Sequence, residues 1–188
     1  TSNAAAFDGL SKALTGKSTE YNAQSGSANV DLSASNIDSN YKTFLDKLDE
    51  FILSLDQRPT ALLANAGLIA KIRACVRRCG IEYKAASLEG GDIPTYDGIP
   101  LVDAGQMAGE DGATDVIATT SGVTELYAVR LGLDGLHGVC MHGESPIKVW
   151  VPDFTTAGAV KKGEVEMVAA IALKNTAAAG VFRKIKIA

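Results

Sequence analysis

Thiols and imidazoles are the scarcest reactive groups in this chain, which has three cysteines and two histidines. His137 and His142 flank Cys140, and in an extended strand Cys140 and His142 share one face while His137 lies on the other. A thiol beside an imidazole is the one starting point here for a small α/β enzyme. A metal site would need at least one further ligand in tetrahedral geometry, and none is near in sequence. The plainer reading is a strand with polar edges, next to Gly138 and Gly143. Cys75 and Cys79 stand four apart on a helical face shared with Leu68 and Ile72, which suits buried small hydrophobes. A nucleophilic cysteine wants an adjacent base or an electropositive pocket, and Arg78 points elsewhere on the helical wheel.

Carboxylates gather at Glu89, Asp92, Asp97 and Asp103, and again at Glu110, Asp111 and Asp115. Their spacing is not that of an EF-hand, so solvated loops are the expectation. No GxSxG, Walker A, HExxH, or GxGxxG opening a helix occurs, and Gly109 to Gly112 reads as a turn, not a phosphate cradle. The sequence therefore assigns no catalytic, cofactor-binding or metal residue, and the chain is expected not to be an enzyme.

Composition narrows the class further. At 188 residues, 46% hydrophobic and 21% charged, the chain has the balance of a folded protein with a core, in one domain or two small ones. A net charge of −4 without a dense Lys/Arg block argues against a nucleic-acid binder that works by neutralising phosphates. Lys71, Arg73, Arg77 and Arg78 form a mild basic cluster of the kind that keeps a helix face wet. The odd cysteine count without CxxC spacing points to reduced thiols in a cytosolic setting. No apolar run approaches the roughly 20 residues of a membrane span, and Thr1 to Ala6 lacks the basic region of a signal peptide. The start without methionine suggests a fragment or a processed product.

The elements that would position these residues are legible from periodicity. From Thr15 to Asn40 the chain is polar, a surface connection anchored by Val30, Leu32 and Ile37, with a short strand at Asn29 to Leu32. Phe44, Leu45, Leu48, Phe51, Ile52 and Leu55 make one apolar stripe, so a helix is predicted from Asn40 to Leu55, ended by Arg58-Pro59. Thr60 to Ala64 has strand length. Asn65 offers a cap for a helix over Ala66 to Cys79, whose inward face is Leu68, Ile69, Ile72, Cys75, Val76 and Cys79, with Gly80 at its C-terminal cap.

Beyond Gly80 strands and turns dominate. Ile81 to Ser87 and Ile99 to Val102 read as strands, Gly90-Gly91-Asp92 and Tyr96-Asp97-Gly98 as turns, and Asp103 to Thr114 as a long loop. Strands are expected at Asp115 to Thr119, Thr124 to Leu131 and His137 to His142, with a turn at Leu133-Asp134. Ile147 to Val151 alternates as a strand with one buried face, and Gly163 to Leu173 and Val181 to Ile187 read as two more. In the last, the alternation is imperfect at Arg183.

Four stretches in this order resemble the tailed-bacteriophage major capsid family (the Hong Kong ninety-seven-like fold), a fold also used by encapsulin shells. They are Phe7-Asp8-Gly9-Leu10; the helix at Thr43 to Leu55 with Thr60-Ala61-Leu62-Leu63-Ala64-Asn65 and the helix after it; Tyr96-Asp97-Gly98-Ile99-Pro100-Leu101-Val102; and the closing strands at Ile147 to Val151, Val165 to Leu173 and Val181 to Ile187. The resemblance implies an α+β fold, an axial domain with a mixed central sheet flanked by helices plus antiparallel strands of a peripheral domain. Residues 1–143 would form the axial domain, 144–175 the peripheral strands and 176–188 a strand returning to the axial domain. The family's N-terminal arm, E-loop and spine helix would precede Phe7, so these residues alone are expected to assemble weakly or not at all.

The implied function is that of a structural subunit of an icosahedral phage capsid that encloses DNA, located in the virion and assembled in the host cytoplasm. The alternative is the shell of an encapsulin nanocompartment, which would bind a cargo-enzyme peptide on its inner face. Implied partners are further copies of the chain, as pentamers and hexamers, with scaffolding, portal or decoration proteins, and neither a membrane nor a specific nucleic-acid sequence. Family analogy places subunit contacts in the loops Glu89 to Tyr96 and Asp103 to Thr114, at Gly91, Asp92, Gln106, Met107, Glu110 and Asp111.

Overall fold

The computed structural model describes residues 9–22, 29–80, 85–88, 91–109, 112–141, 143, 145–152, 155 and 158–188. They fall into two compact units, one within His137–Ala172 and the other within Asp8–Leu136 and Leu173–Ala188.

The larger unit is built on a mixed sheet. Its central members are β3 (Ala61–Ala64), β6 (Ile99–Asp103), β9 (Val123–Val129) and β14 (Ala179–Lys186). β3 runs parallel to β6 and antiparallel to β9, and β9 runs antiparallel to β14. Beyond β6 lie β5 (Gly91–Tyr96) and β4 (Ala85–Leu88), and β14 is edged by two-residue parallel strands, β1 (Glu20–Tyr21) and β2 (Val30–Asp31).

The period of two in these strands sorts their side chains onto two faces. Leu62, Ala64, Leu126, Ala128, Phe182 and Ile185 face one cluster, which also takes Phe44, Leu48 and Phe51 of α2 (Ile37–Leu53) and Leu68, Ile72 and Cys75 of α3 (Ala66–Arg78). Ala61, Tyr127, Val129, Ala179 and Val181 face the other cluster with Leu14 of α1 (Leu10–Leu14). The two long helices therefore cover one face and the short α1 the other. This is the α+β architecture with a mixed central sheet that the resemblance implied.

Local chemistry explains the best-read elements. Asn65 caps α3, its Oδ1 accepting the Leu68 amide at 2.9 Å, and Gly80 follows the helix at φ +72°. Asp97 and Gly98 both have positive φ (48° and 73°), the requirement of a two-residue I′ turn, and they join β5 to β6. Val30, Leu32 and Ile37 are buried anchors of the polar connection.

Several boundaries and assignments differ from the sequence reading. α2 begins at Ile37, three residues earlier than predicted, because Asp31 and Ser33 organise the turn before it. Cys79 is exposed, since it follows the last turn of α3. Gly91 and Asp92 belong to β5 and pair with Leu88 and Ser87 of β4; they are not a turn. Residues 81–84, 89 and 90 lie outside the described residues.

The long loop expected at Asp103 to Thr114 is a hairpin, β7 (Gln106–Gly109) with β8 (Gly112–Asp115). Asp115 ends β8, and residues 116–119, expected as a strand, belong to none. The stretch Gly163 to Leu173 is two strands, β12 (Glu164–Met167) and β13 (Ala169–Leu173). They pair respectively with β11 (Ile147–Trp150) and β10 (Leu136–Cys140).

The smaller unit contributes none of the buried hydrophobic residues of the described chain. The register of β11 with β12 puts Ile147, Val149, Val165 and Met167 on one face of the ribbon and Lys148, Trp150, Glu164 and Glu166 on the other. The apolar face, expected to be buried, stands open at 51% to 71% exposure.

Candidate assembly surfaces

The described side chains of the hairpin β7–β8 are exposed on both faces, apart from the half-buried Asp115 at its base. Its register pairs Gln106 with Asp115, Met107 with Thr114 and Ala108 with Ala113. Gln106 Nε2 donates to Asp115 Oδ1 at 2.8 Å, closing the base of the arm, and Asp103 Oδ1 accepts the Gly105 amide at 3.0 Å where the chain enters it. Met107 is 57% exposed. The arm thus presents a thioether, small residues and backbone, with Glu110 and Asp111 outside the described residues. Gln106 and Met107 share this arm, whereas Gly91 and Asp92 sit at the start of β5, next to the end of β4.

The candidate reactive groups are dispersed. Cys75 is buried on α3, and burial pushes its thiol up to about 11, the opposite of activation. Cys79 and Cys140 are exposed and unpaired by disulfides. His137 lies on β10, its Nδ1 buried with no hydrogen-bond partner, and His142 lies outside the described residues. Among the described residues no three His, Cys, Asp or Glu side chains gather as a metal site. Asp97 pairs with Arg58, which also donates to the Asp97 carbonyl, and Arg78 reaches Asp38 on α2 at 2.6 Å. These exposed pairs pin the β5–β6 turn and the end of α3, and each is worth less than about 1 kcal/mol.

Sequence reasoning missed the most charged interior feature. Arg183, 1% exposed, donates through Nε to Glu20 Oε1 and through Nη1 to Glu125 Oε1, both at 2.5 Å. Ser11 and Thr15 of the α1 segment accept its remaining protons. Two carboxylates around one guanidinium hold the arginine charged, although burial alone opposes the charge. The available signal was the broken alternation at Arg183. Arg183 keeps the face of Ala179 and Val181, the α1 side, and the β-bulge that follows it, a register shift between Phe182 and Ile185 with Lys184 at φ 58°, moves Ile185 to the face of Phe182.

The sequence model of the family "Type 2A encapsulin shell protein SrpI-like" matches residues 26–178. A curated relative, the Type 2A encapsulin shell protein SrpI of Synechococcus elongatus, is 31% identical over 100 residues, which is 53% of this chain and 31% of that protein. The fold is similar to a chain in the cryo-EM structure of the holo-SrpI encapsulin complex from the same organism, with a TM-score of 0.59 and 20% identity over 76% of this chain. The chain spans about half the length of that solved relative, 49%.

These matches overturn the expected location in a virion capsid. The phage resemblance rested on a fold that encapsulin shells share, and the sequence-level match is to an encapsulin, the reading held second. The phage terms fall with it, while the shared shell fold stands. With the match extending over most of its length, the chain belongs to the SrpI-like family of type 2A encapsulin shell proteins.

Proposed function

We propose that this chain is the axial-domain portion, with the returning peripheral strands, of a subunit that tiles a closed encapsulin shell around protein cargo. The compact unit within His137–Ala172 is its peripheral part. The observation that carries the reading is the β7–β8 hairpin. A two-stranded hairpin exposed on both faces is marginal in water, and this one has almost no apolar side chain to stabilise it. An arm of that kind completes its packing against a neighbouring copy, in the heterologous contacts that close a ring of subunits.

Gln106 and Met107 on the arm, Glu110 and Asp111 between its two strands in sequence, and Gly91 and Asp92 at the start of β5 are the proposed contact residues. Further support comes from the exposed large hydrophobics, most of which lie between Val139 and Ile171. A free monomer rarely leaves so much apolar surface in one region uncovered. Deleting Met107 to Ala113 from the protein expressed from its complete gene is expected to abolish shells while leaving a soluble folded subunit. Shells of normal size and yield from that deletion would refute the assignment of the arm.

A further inference from the structure

One edge of the sheet in the larger unit is covered in an unusual way. The outer side of the eight-residue strand β14 is met by two separate two-residue strands, with Glu20 and Tyr21 opposite Val181 and Phe182, and Val30 and Asp31 opposite Ile185 and Lys186. Between them lies the bulge, where Asn22 Nδ2 donates to the Arg183 carbonyl at 2.9 Å. The first of these covers, with α1 before it, converges on one side chain. Arg183 reaches Ser11 Oγ and Ser11 O at 3.1 Å each, Thr15 Oγ1 at 3.0 Å and Glu20 Oε1 at 2.5 Å, from a base formed by Glu125 on β9. Glu125 is held in turn by the Tyr127 hydroxyl.

We propose that Leu10–Tyr21 is a latch over the edge of β14, that Arg183 is its peg, and that the latch opens as a unit, ahead of the rest of the fold, when the ion cluster is broken. Its own backbone bonds to the sheet are few. The Val181 amide donates to the Thr19 carbonyl at 3.1 Å, and the β1 ladder is two residues long. Segments fastened by so few bonds open locally below the global unfolding free energy. What holds this one is the charge cluster together with Leu14 in the second core and Tyr21 edge-on to Phe182 at 4.9 Å.

The consequence follows from what the latch covers. With it open, β14 offers unpaired backbone groups at Val181 and Phe182, a template for edge-to-edge pairing with another copy. In a protein that must associate only through its proper contacts, the latch blocks a wrong one. Lys184, in the left-handed region at φ 58°, belongs to the bulge that separates the two covered stretches of β14.

Hydrogen exchange read by mass spectrometry on the 188-residue chain tests this. In Arg183→Gln, amides of residues 12–21 are expected to exchange at least about 10-fold faster while those of α3 and β3 keep their rates, with Arg183→Lys between the two. Size-exclusion chromatography is expected to show added self-association in the same order. An equal acceleration across the sheet and both long helices would overturn the proposal, as would unchanged exchange at 12–21. Should Arg183→Gln fail to fold, Glu20→Gln, which leaves the Glu125 contact in place, carries the same test with the same two outcomes.

Discussion

Asn65 does more at 3% exposure than cap a helix. Its Oδ1 accepts from Leu68, while Nδ2 donates to the Ile117 carbonyl at 3.2 Å, Thr119 Oγ1 at 2.8 Å and Thr124 Oγ1 at 3.0 Å. Asn65→Ala removes all four of these bonds at a buried site and is expected to cost about 2–4 kcal/mol in a denaturant titration. Tyr21 and Tyr127 are pushed up to about 12, first by burial and then by donating to Glu50 and Glu125, and Tyr96 is raised further by burial and Asp49. The folded state thus favours the neutral phenols. That contribution is fully present below the ordinary value of 10 and is lost as pH rises towards 12. Ultraviolet titration of tyrosinate is expected to lag that of the urea-unfolded chain over this window, and coincident curves would contradict it. At this scale the cap was legible in the sequence, because Asn before an apolar helical stripe has a local cause. The Arg183 cluster was not, because Glu20 and Glu125 are brought to it only by strand pairing distant in sequence.

Elements read well where one face is apolar and the ends carry turn chemistry, as in α2, β3, α3 and the Asp97-Gly98 hairpin. They read poorly where a strand is short or buries nothing. β1 and β2 are two residues each, and β7–β8 has no apolar alternation to betray it, so its Gly, Ala and Asp content looked like a loop. The ribbon β11–β12 shows the converse error. Alternation at Ile147, Val149 and Val151 announces an apolar face correctly, but periodicity cannot say whether that face is covered within the same chain. β14 also packs closely against its neighbours at one backbone position. A Cβ built on Gly180 would lie 2.9 Å from Leu55 Cδ2 and Phe51 Cε2 and 3.1 Å from the Thr19 carbonyl. Gly180→Ala is therefore expected to lower stability by about 1–3 kcal/mol, by forcing α2 and the β1 segment away from the sheet. A melting temperature equal to that of the parent protein would show that the packing yields freely.

The two units of the chain differ in how they bury apolar surface. One unit has two conventional apolar clusters around a mixed sheet; the other, within His137–Ala172, has none of the buried hydrophobics among the described residues. The shell fold was legible because an ordered set of short motifs survives along the chain. The choice between phage capsid and encapsulin was not, because both use the same helices, central strand and closing strands, and the distinction lies in sequence similarity to particular relatives. Electron microscopy of the protein expressed from its complete gene in a bacterial host, without phage genes, tests the central claim most directly. Closed shells of uniform diameter, formed with no scaffold, portal or genome, are the predicted result. A protein that remains monomeric or forms only small oligomers under those conditions would contradict it.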